Sequence, residues 1–340
     1  MISNILIRFL FQNKSKELNL LFRIYYLLAF LFTFTVLLSL IFGQSIYLKH
    51  NISDRQEYIN IPKTEQFSQA INQNEFSQNK ILTSKILREK LNHQFFDIDY
   101  IKKNKKVPNI IISKFPDDFK SIYSSSLRKN LFIKVALPLI VRENENLISQ
   151  NIKIEKLNNK FNFIKRREAV WLSKKIEEYE VKNNSIDELL MKIDAIPVSI
   201  ALSQAAVESG WGTSRFASEG NALFGQYIWG NGEGIIPEER SDSEIHKIKS
   251  FKNLKNSVSS YMKNLNSNYH YDEFRLNRFV MRKNGIKLDG IELSQYLYNY
   301  STDQGYPEKI KLIIQSNDLD DFDDVSIDHF STQSVQSDII

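Results

Sequence analysis

Nineteen consecutive uncharged residues, Ile24–Phe42 (IYYLLAFLFTFTVLLSLIF), constrain this chain more than any other feature. A helix rises about 1.5 Å per residue, so such a run approaches the ~20 residues that cross a bilayer's hydrocarbon core. Buried helices of globular proteins rarely stay apolar on every face for so long. A cleavable leader has a shorter apolar core, about 7–15 residues, and a small-residue cleavage site. FGQSIY does not offer one. Arg8, Lys14, Lys16 and Arg23 precede the run, whereas the residues just after it (GQSIYLKHN) are nearly neutral. The positive-inside bias therefore puts residues 1–23 in the cytoplasm and everything after about residue 45 outside. The expectation is a retained transmembrane signal anchor at 24–42.

The rest of the 340 residues divides by composition. Residues 43–106 are rich in Asn, Gln, Ser and Lys and end in the basic run IKKNKK. They carry little apolar surface to bury and read as a polar stalk, partly helical around 78–95, with the basic run solvated. Helical periodicity dominates beyond about 115: Leu131, Val135, Leu139, Leu147 and Ile148 fall near one face, and Val170, Leu172, Ile176 and Tyr179 form a second set. In SIDELLMKI, Ser185 and Glu188 have the spacing of a capping box. The catalytic portion is set at 107–316. The tail, 317–340 (NDLDDFDDVSIDHFSTQSVQSDII), is acidic and reads as disordered, without the spacing of an EF-hand.

Several chemistries drop out. The chain has 0 cysteines, which excludes disulfides, thiolate metal sites and a cysteine nucleophile. His50, His93, His246, His270 and His329 are scattered without ligand-like spacing, so no metal is expected. A net charge of +5 without an aromatic-interleaved basic stripe does not call for nucleic acid.

Chemistry concentrates in Ile196–Trp229, IPVSIALSQAAVESGWGTSRFASEGNALFGQYIW. Pro197 suits a helix start, small Ala201, Ala205 and Ala206 let another helix approach, and Gly210 and Gly212 stop the helix. Glu208 then lies in the last turn. Carbonyl groups at a helix C-terminus disfavour an ionised carboxylate, and an apolar wall from Val207 and Trp211 would add desolvation. Both raise an acid's pKa, as a general acid near neutral pH requires.

The run AAVESGWGTSRFASEGNALFG resembles the signature of the glucosaminidases, glycoside hydrolase family 73, and most closely their bacterial Bax-like branch. Flagellum-associated peptidoglycan hydrolases are more distant relatives. The resemblance continues through GEGIIPEER, HKIKSFKNLKNSVSSYMKNLNSN, Tyr271–Arg275 and YSTDQGYPEKI, about 107–315 in all. It is specific, because many fixed positions recur together.

The resemblance implies a mainly α, lysozyme-like helical domain with a small β-hairpin at the cleft, following the N-terminal transmembrane helix. It implies that Glu208 protonates the glycosidic oxygen. Glycosidases commonly place a second carboxylate across the scissile bond, about 5 Å away for a covalent route and farther for water attack. An ungapped alignment of the hairpin, whose two strands would turn near Ser241–Ser243, gives Glu238; one gap gives Glu239. Glu233 and Glu244 are weaker candidates, and the substrate's own N-acetyl group is the alternative. The YxTDxxY region corresponds to Tyr300 and Tyr306, with Tyr300 favoured as catalytic and Tyr306 as substrate-binding. Ser209, Trp211, Phe224, Gln226 and Trp229 are candidate cleft linings. Relatives often carry His-Glu where this chain has His246-Lys247, which weakens transfer of the hairpin's role.

The implied activity is hydrolysis of β-1,4 bonds next to N-acetylglucosamine in peptidoglycan, without a cofactor, by a single-pass bacterial inner-membrane protein whose catalytic domain is periplasmic. Its rivals are a lytic transglycosylase, a non-catalytic wall-binding protein, and action on another N-acetylated glycan such as a glycoprotein's.

Overall fold

Three short elements lead into the helical body: α1 (Ser84–Leu91), α2 (Ile98–Asn104) and β1 (Lys106–Pro108). Thr83 caps α1 and Asp97 caps α2, each side chain accepting a backbone N–H that the first turn leaves unpaired. The computed structural model describes residues 82–92, 96–160, 164–238, 240 and 245–329. The 24–42 run, the stalk up to residue 81 and the tail from 330 lie outside the described residues. Among the described residues, no helix is long and apolar enough to cross a membrane. All of them fall in one of the chain's two compact units, Glu65–Ile340.

The central element is α3 (Ser125–Asn158), which runs 34 residues with Pro138 inside it. Every residue from Leu131 to Val141 is buried, so this stretch is covered on all sides and not along one face as its periodicity suggested. Ile148 is only half-buried. In α4 (Arg166–Glu178), Leu172 is buried while Val170 is exposed, because the apolar stripe of this surface helix is narrower than the sequence implied. The cap of α5 (Ile186–Lys192) is half a capping box. Ser185 Oγ accepts from Glu188 N at 3.2 Å, but the Glu188 carboxylate takes the N–H of Lys182 at 2.9 Å.

The site helix, α6 (Val198–Ser209), packs against α3, against the helix Tyr306–Ser316 and against a 3-10 turn at Leu319–Phe322. Its small side chains Ala201, Ala205 and Ala206 are fully buried and permit that close approach. Asn144 fixes its entry reciprocally: Asn144 Nδ2 donates to Ile196 O at 2.7 Å and Asn144 Oδ1 accepts from Ile196 N at 2.9 Å. Beyond it come α7 (Arg215–Gly220), β2 (Tyr227–Ile228), β3 (Gly234–Ile235), β4 (Lys247–Lys249), α8 (Leu254–Ser267), α9 (Asp272–Lys283), α10 (Gly290–Ser294), α11 (Tyr306–Ser316) and β5 (Ser326–Asp328). In place of a two-stranded hairpin there is an antiparallel three-stranded sheet in the order β2-β4-β3, with Tyr227 and Ile235 both opposite Ile248. The extra strand, β2, begins two residues after Gly225, which lies beside the Glu208 carboxyl. The expected turn at Ser241–Ser243 lies outside the described residues.

Two segments read as lying outside the packed domain, a partly helical stalk and a disordered tail, contribute to this body, and α1 falls inside the expected helical stretch 78–95. Leu87, Leu91, Phe96 and Ile101 of the expected stalk are fully buried, and Lys134 Nζ donates to Leu91 O. In the expected disordered tail, Leu319, Phe322, Val325 and Ile327 are buried, and β5 pairs in parallel with β1, Val107 opposite Ile327. Neither segment holds enough apolar surface alone, but the two complete each other. The basic run meets the acidic tail: Lys102 pairs with Asp321 at 3.0 Å, Lys105 with Asp324 at 3.0 Å, and Lys106 Nζ donates to Ser326 Oγ at 2.8 Å. The run is therefore not simply solvated, and the packed region extends to both sides of 107–316.

Candidate active site

The elbow after α6 is made by a left-handed turn. Gly210 ends the helix at φ 59°. Glycine adopts that conformation without steric cost. Trp211 follows at φ 57°. A left-handed residue with a Cβ pays on the order of ~1–2 kcal/mol for it. The Trp211 N–H returns to Ala206 O at 2.8 Å, its ring sits edge-on to Phe132 at 5.5 Å, and Lys129 Nζ lies 4.7 Å from the ring centre. Ser209, fully buried, accepts from Gly212 N at 2.9 Å. These contacts fix the last helical turn, where Glu208 projects.

Glu208 is half-buried, and its carboxyl pKa is raised. Burial is the dominant cause; a hydrogen bond from Tyr306 and the charge of Lys309 act against it. The direction agrees with the reading from helix position, but the principal neighbours are phenols from distant segments. Tyr306, at the start of α11, donates to Glu208 Oε1 at 2.9 Å. Tyr300 stacks on Tyr306 with ring centres 5.3 Å apart and donates its own hydrogen to Phe224 O at 3.0 Å. Tyr261 and Tyr271 face Tyr300 at 6.4 and 6.2 Å. Burial pushes Tyr271 up to about 12, and the Glu208 charge also raises it and the Tyr261 and Tyr300 phenols. All four phenols are neutral around pH 7.

Glu208, Tyr300, Tyr306 and Phe224 are thus brought together. Tyr306 is buried and bonded to the acid, and Phe224 is buried face-to-face on Tyr261 at 3.8 Å. Neither offers an open face for stacking a sugar, a departure from their reading as linings. Trp211 is half-buried against Phe132. Gln226 lies beside the sheet: its backbone carbonyl accepts from Lys249 N at 2.8 Å, and its side-chain Oε1 is buried without a partner. Trp229 is 64% exposed on the sheet, with Tyr227 at 6.0 Å. Glu238 is exposed and pairs with Arg215 at 3.1 Å, while Arg215 also donates to Ile236 O at 2.7 Å. Its partner is a guanidinium of α7, outside the Glu208 hydrogen-bond network. Glu239 and Glu244 lie outside the described residues, and Glu233 is exposed. Among the described residues, no cluster of three or more His, Asp or Glu side chains could hold a metal ion.

Sequence reasoning passed over Gln204, Tyr261 and Tyr271. Gln204 is fully buried, its amide between the hydroxyls of Tyr261 (2.6 Å) and Tyr306 (2.9 Å). One signal was available: a Gln four residues before Glu208 shares its helix face, amid otherwise small and apolar neighbours. Nothing local in the sequence ties Tyr261, on α8, to that face.

The glucosaminidase family model, described as mannosyl-glycoprotein endo-beta-N-acetylglucosaminidase, matches residues 183–319. The protein named bax of Escherichia coli (strain K12) is 30% identical over 196 residues, covering 54% of this chain and 68% of that one. The exo-glucosaminidase LytG of Bacillus subtilis (strain 168) is 26% identical over 220 residues, covering 61% of this chain and 70% of that one. The catalytic domain of the autolysin Auto from Listeria monocytogenes aligns at 20% identity over 50% of this chain and 96% of that domain, with a TM-score of 0.30, an overlap too loose to bear on the fold.

Proposed function

Because this chain belongs to the glucosaminidase family, on its Bax-like branch, we propose that it is a peptidoglycan hydrolase cleaving β-1,4 bonds next to N-acetylglucosamine, with Glu208 as general acid. One observation carries the assignment. Glu208 is half-buried with its pKa raised, one oxygen bonded by Tyr306 and the other beside Gly225, where an added Cβ would come within 3.3 Å. A carboxyl whose burial makes it hold its proton more tightly than usual, with one oxygen unencumbered, suits passing that proton to a leaving glycosidic oxygen. The Tyr306 hydrogen bond then stabilises the carboxylate that remains.

The second step belongs to the substrate or to an arm of the sheet. Glu238 is paired with Arg215, which leaves Glu239, assistance by the substrate's acetamido group, or the ring closure of a lytic transglycosylase as the routes to the second step. The uncharged 24–42 run completes the reading as an inner-membrane anchor that keeps the domain in the periplasm beside the wall; loss of membrane association on replacing Leu37 and Leu38 with Lys tests it.

The deciding experiment incubates the full chain and its Glu208→Gln variant with purified peptidoglycan, counting reducing ends and weighing the fragments. Hydrolysis predicts reducing ends that fall by a factor on the order of 10²–10⁴ in the variant. Anhydro-sugar ends would identify a transglycosylase, and bound wall without cleavage a binding protein. Because the family model is described by an endo-acting activity and LytG by an exo-acting one, fragment length decides between them here: oligosaccharides for internal cleavage, single sugars for terminal cleavage. Cleavage of a mannosyl-glycoprotein but not of peptidoglycan would move the substrate to the one the family model names.

A further inference from the structure

We propose that Gln204 and Tyr261 are positioning residues for the acid, forming with Tyr306 a one-way hydrogen-bond chain that keeps the transferable proton of Glu208 on Oε2. The proposal rests on the reading of Glu208 as the acid and adds what directs it.

The chain has four members on three elements: Tyr261 Oη donates to Gln204 Oε1 at 2.6 Å, Gln204 Nε2 donates to Tyr306 Oη at 2.9 Å, and Tyr306 Oη donates to Glu208 Oε1 at 2.9 Å. Its first three members are buried, so no water competes for their groups. A phenol has one hydrogen, and an amide presents an acceptor on one side and donors on the other. Tyr261 therefore sets the direction. Its hydrogen requires an acceptor, and Gln204 Oε1 is the acceptor it has among the described residues. That turns the amide nitrogen toward Tyr306. Tyr306, accepting from Gln204, sends its only hydrogen to Glu208. The carbonyl oxygen is the stronger acceptor of a protonated carboxyl, so a hydrogen bond accepted at Oε1 favours the proton on Oε2.

The reverse arrangement shows what is excluded. With the Gln204 amide turned over, Tyr306 would donate to Gln204, and Glu208 would have to donate from Oε1 into the protein. Tyr261 would then hold a buried hydrogen without an acceptor. A separate feature agrees with the forward direction. Gly225, at φ 57°, leaves open the space beside Oε2 that a Cβ would narrow to 3.3 Å. The proton is thus presented where the backbone has been pared away.

Donation to its oxygen from Gln204 also strengthens the hydrogen bond that Tyr306 makes, since linked bonds polarise one another. Removing Gln204 weakens the bond to Glu208, and removing the Tyr306 hydroxyl abolishes it. Both changes disfavour the carboxylate and move its ionisation to higher pH, and the first acts only through the second.

The test follows Glu208 by carboxyl ¹³C NMR titration, assigned against Glu208→Gln, alongside the pH profile of peptidoglycan cleavage by the full chain. Tyr306→Phe should raise the Glu208 midpoint, and Gln204→Met should raise it less. In the Tyr306→Phe background Gln204→Met should add nothing. Maximal rate should drop about tenfold in Gln204→Met with KM unchanged, as expected when a reacting group is misplaced and not lost. If Gln204→Met strands Tyr261 and unfolds, Gln204→Met/Tyr261→Phe removes both partners and keeps the comparison. Equal shifts with and without the Tyr306 hydroxyl, or lowered thermal stability with an unmoved midpoint and rate, would overturn the proposal. Should the midpoints behave as expected while Glu208→Gln keeps full activity, the chain stands and the catalytic role of Glu208 falls.

Discussion

The two ends of α6 each meet a carboxylate, and the meetings are opposite in kind. At the N-terminal end Asp323 reaches in from the acidic tail, accepting from Ser199 N at 2.7 Å and from Ser199 Oγ at 2.9 Å, with the Gly290 N–H as a further donor. It supplies the cap that Pro197 lacks a side-chain group to give. At the C-terminal end Glu208 has one oxygen bonded and the other open. Burial raises both pKa values, that of Asp323 to about 6. A saturated buried carboxylate fixes a helix; a half-satisfied one is available for chemistry. Helix polarity reinforces the division, since the N-terminus favours negative charge and the C-terminus disfavours it.

The comparison can be broken at either end. The largest effect is expected from Glu208→Gln, which should remove cleavage while leaving the melting temperature within a few degrees of the parent. A large loss of stability instead would make Glu208 structural, like Asp323. Next is Phe322→Ala, which empties a fully buried site beneath the Asp323 cap. It should cost about 3–5 kcal/mol in chemical denaturation. An undiminished midpoint would mean that the tail is not part of the cooperative unit.

Asp323→Asn sharpens the contrast through pH. The folded pKa of Asp323, about 6, exceeds the ordinary carboxyl value near ~3.9. The folded state therefore binds more protons between them, and this group's contribution to stability is complete below about pH 4 and is lost as pH rises through about 6. Thermal melts from pH 4 to 7 should decline more steeply for the parent than for the variant. Parallel curves would remove Asp323 from the account. The smallest change is expected from Lys102→Ala with Lys105→Ala, which removes three ion pairs to the tail, with Asp318, Asp321 and Asp324. Ion pairs open to solvent on at least one side, as these are with their half-buried lysines, are worth about 0–1 kcal/mol each, so the loss should be slight and should shrink further in high salt.

What was legible in the sequence follows the same division. The helix over Val198–Ser209, its Gly210 stop and the place of Glu208 in the last turn are local matters, set by spacing and backbone chemistry within a dozen residues. The tail was misread for an equally local reason: its aspartates lowered its mean hydropathy. Yet Leu319, Phe322, Val325 and Ile327 recur at intervals of three, three and two, a pattern that the charges between them hid. IKKNKK was likewise weighed alone, and its counter-charges, Asp321 and Asp324, lie far along the chain.

The sequence by itself determined the family, the mainly helical build and the glutamate at the end of α6, because a motif, a periodicity and a helix stop are each encoded by neighbouring residues. Tertiary structure alone decided which side chains surround that glutamate. Tyr261, Tyr300 and Tyr306 come from segments 57, 76 and 98 positions from their hydrogen-bond partners Gln204, Phe224 and Glu208. A buried phenol or amide must find its partner wherever the packed core places one, so only the fold could connect Gln204, Tyr261 and Tyr306 into the support of a single carboxyl group.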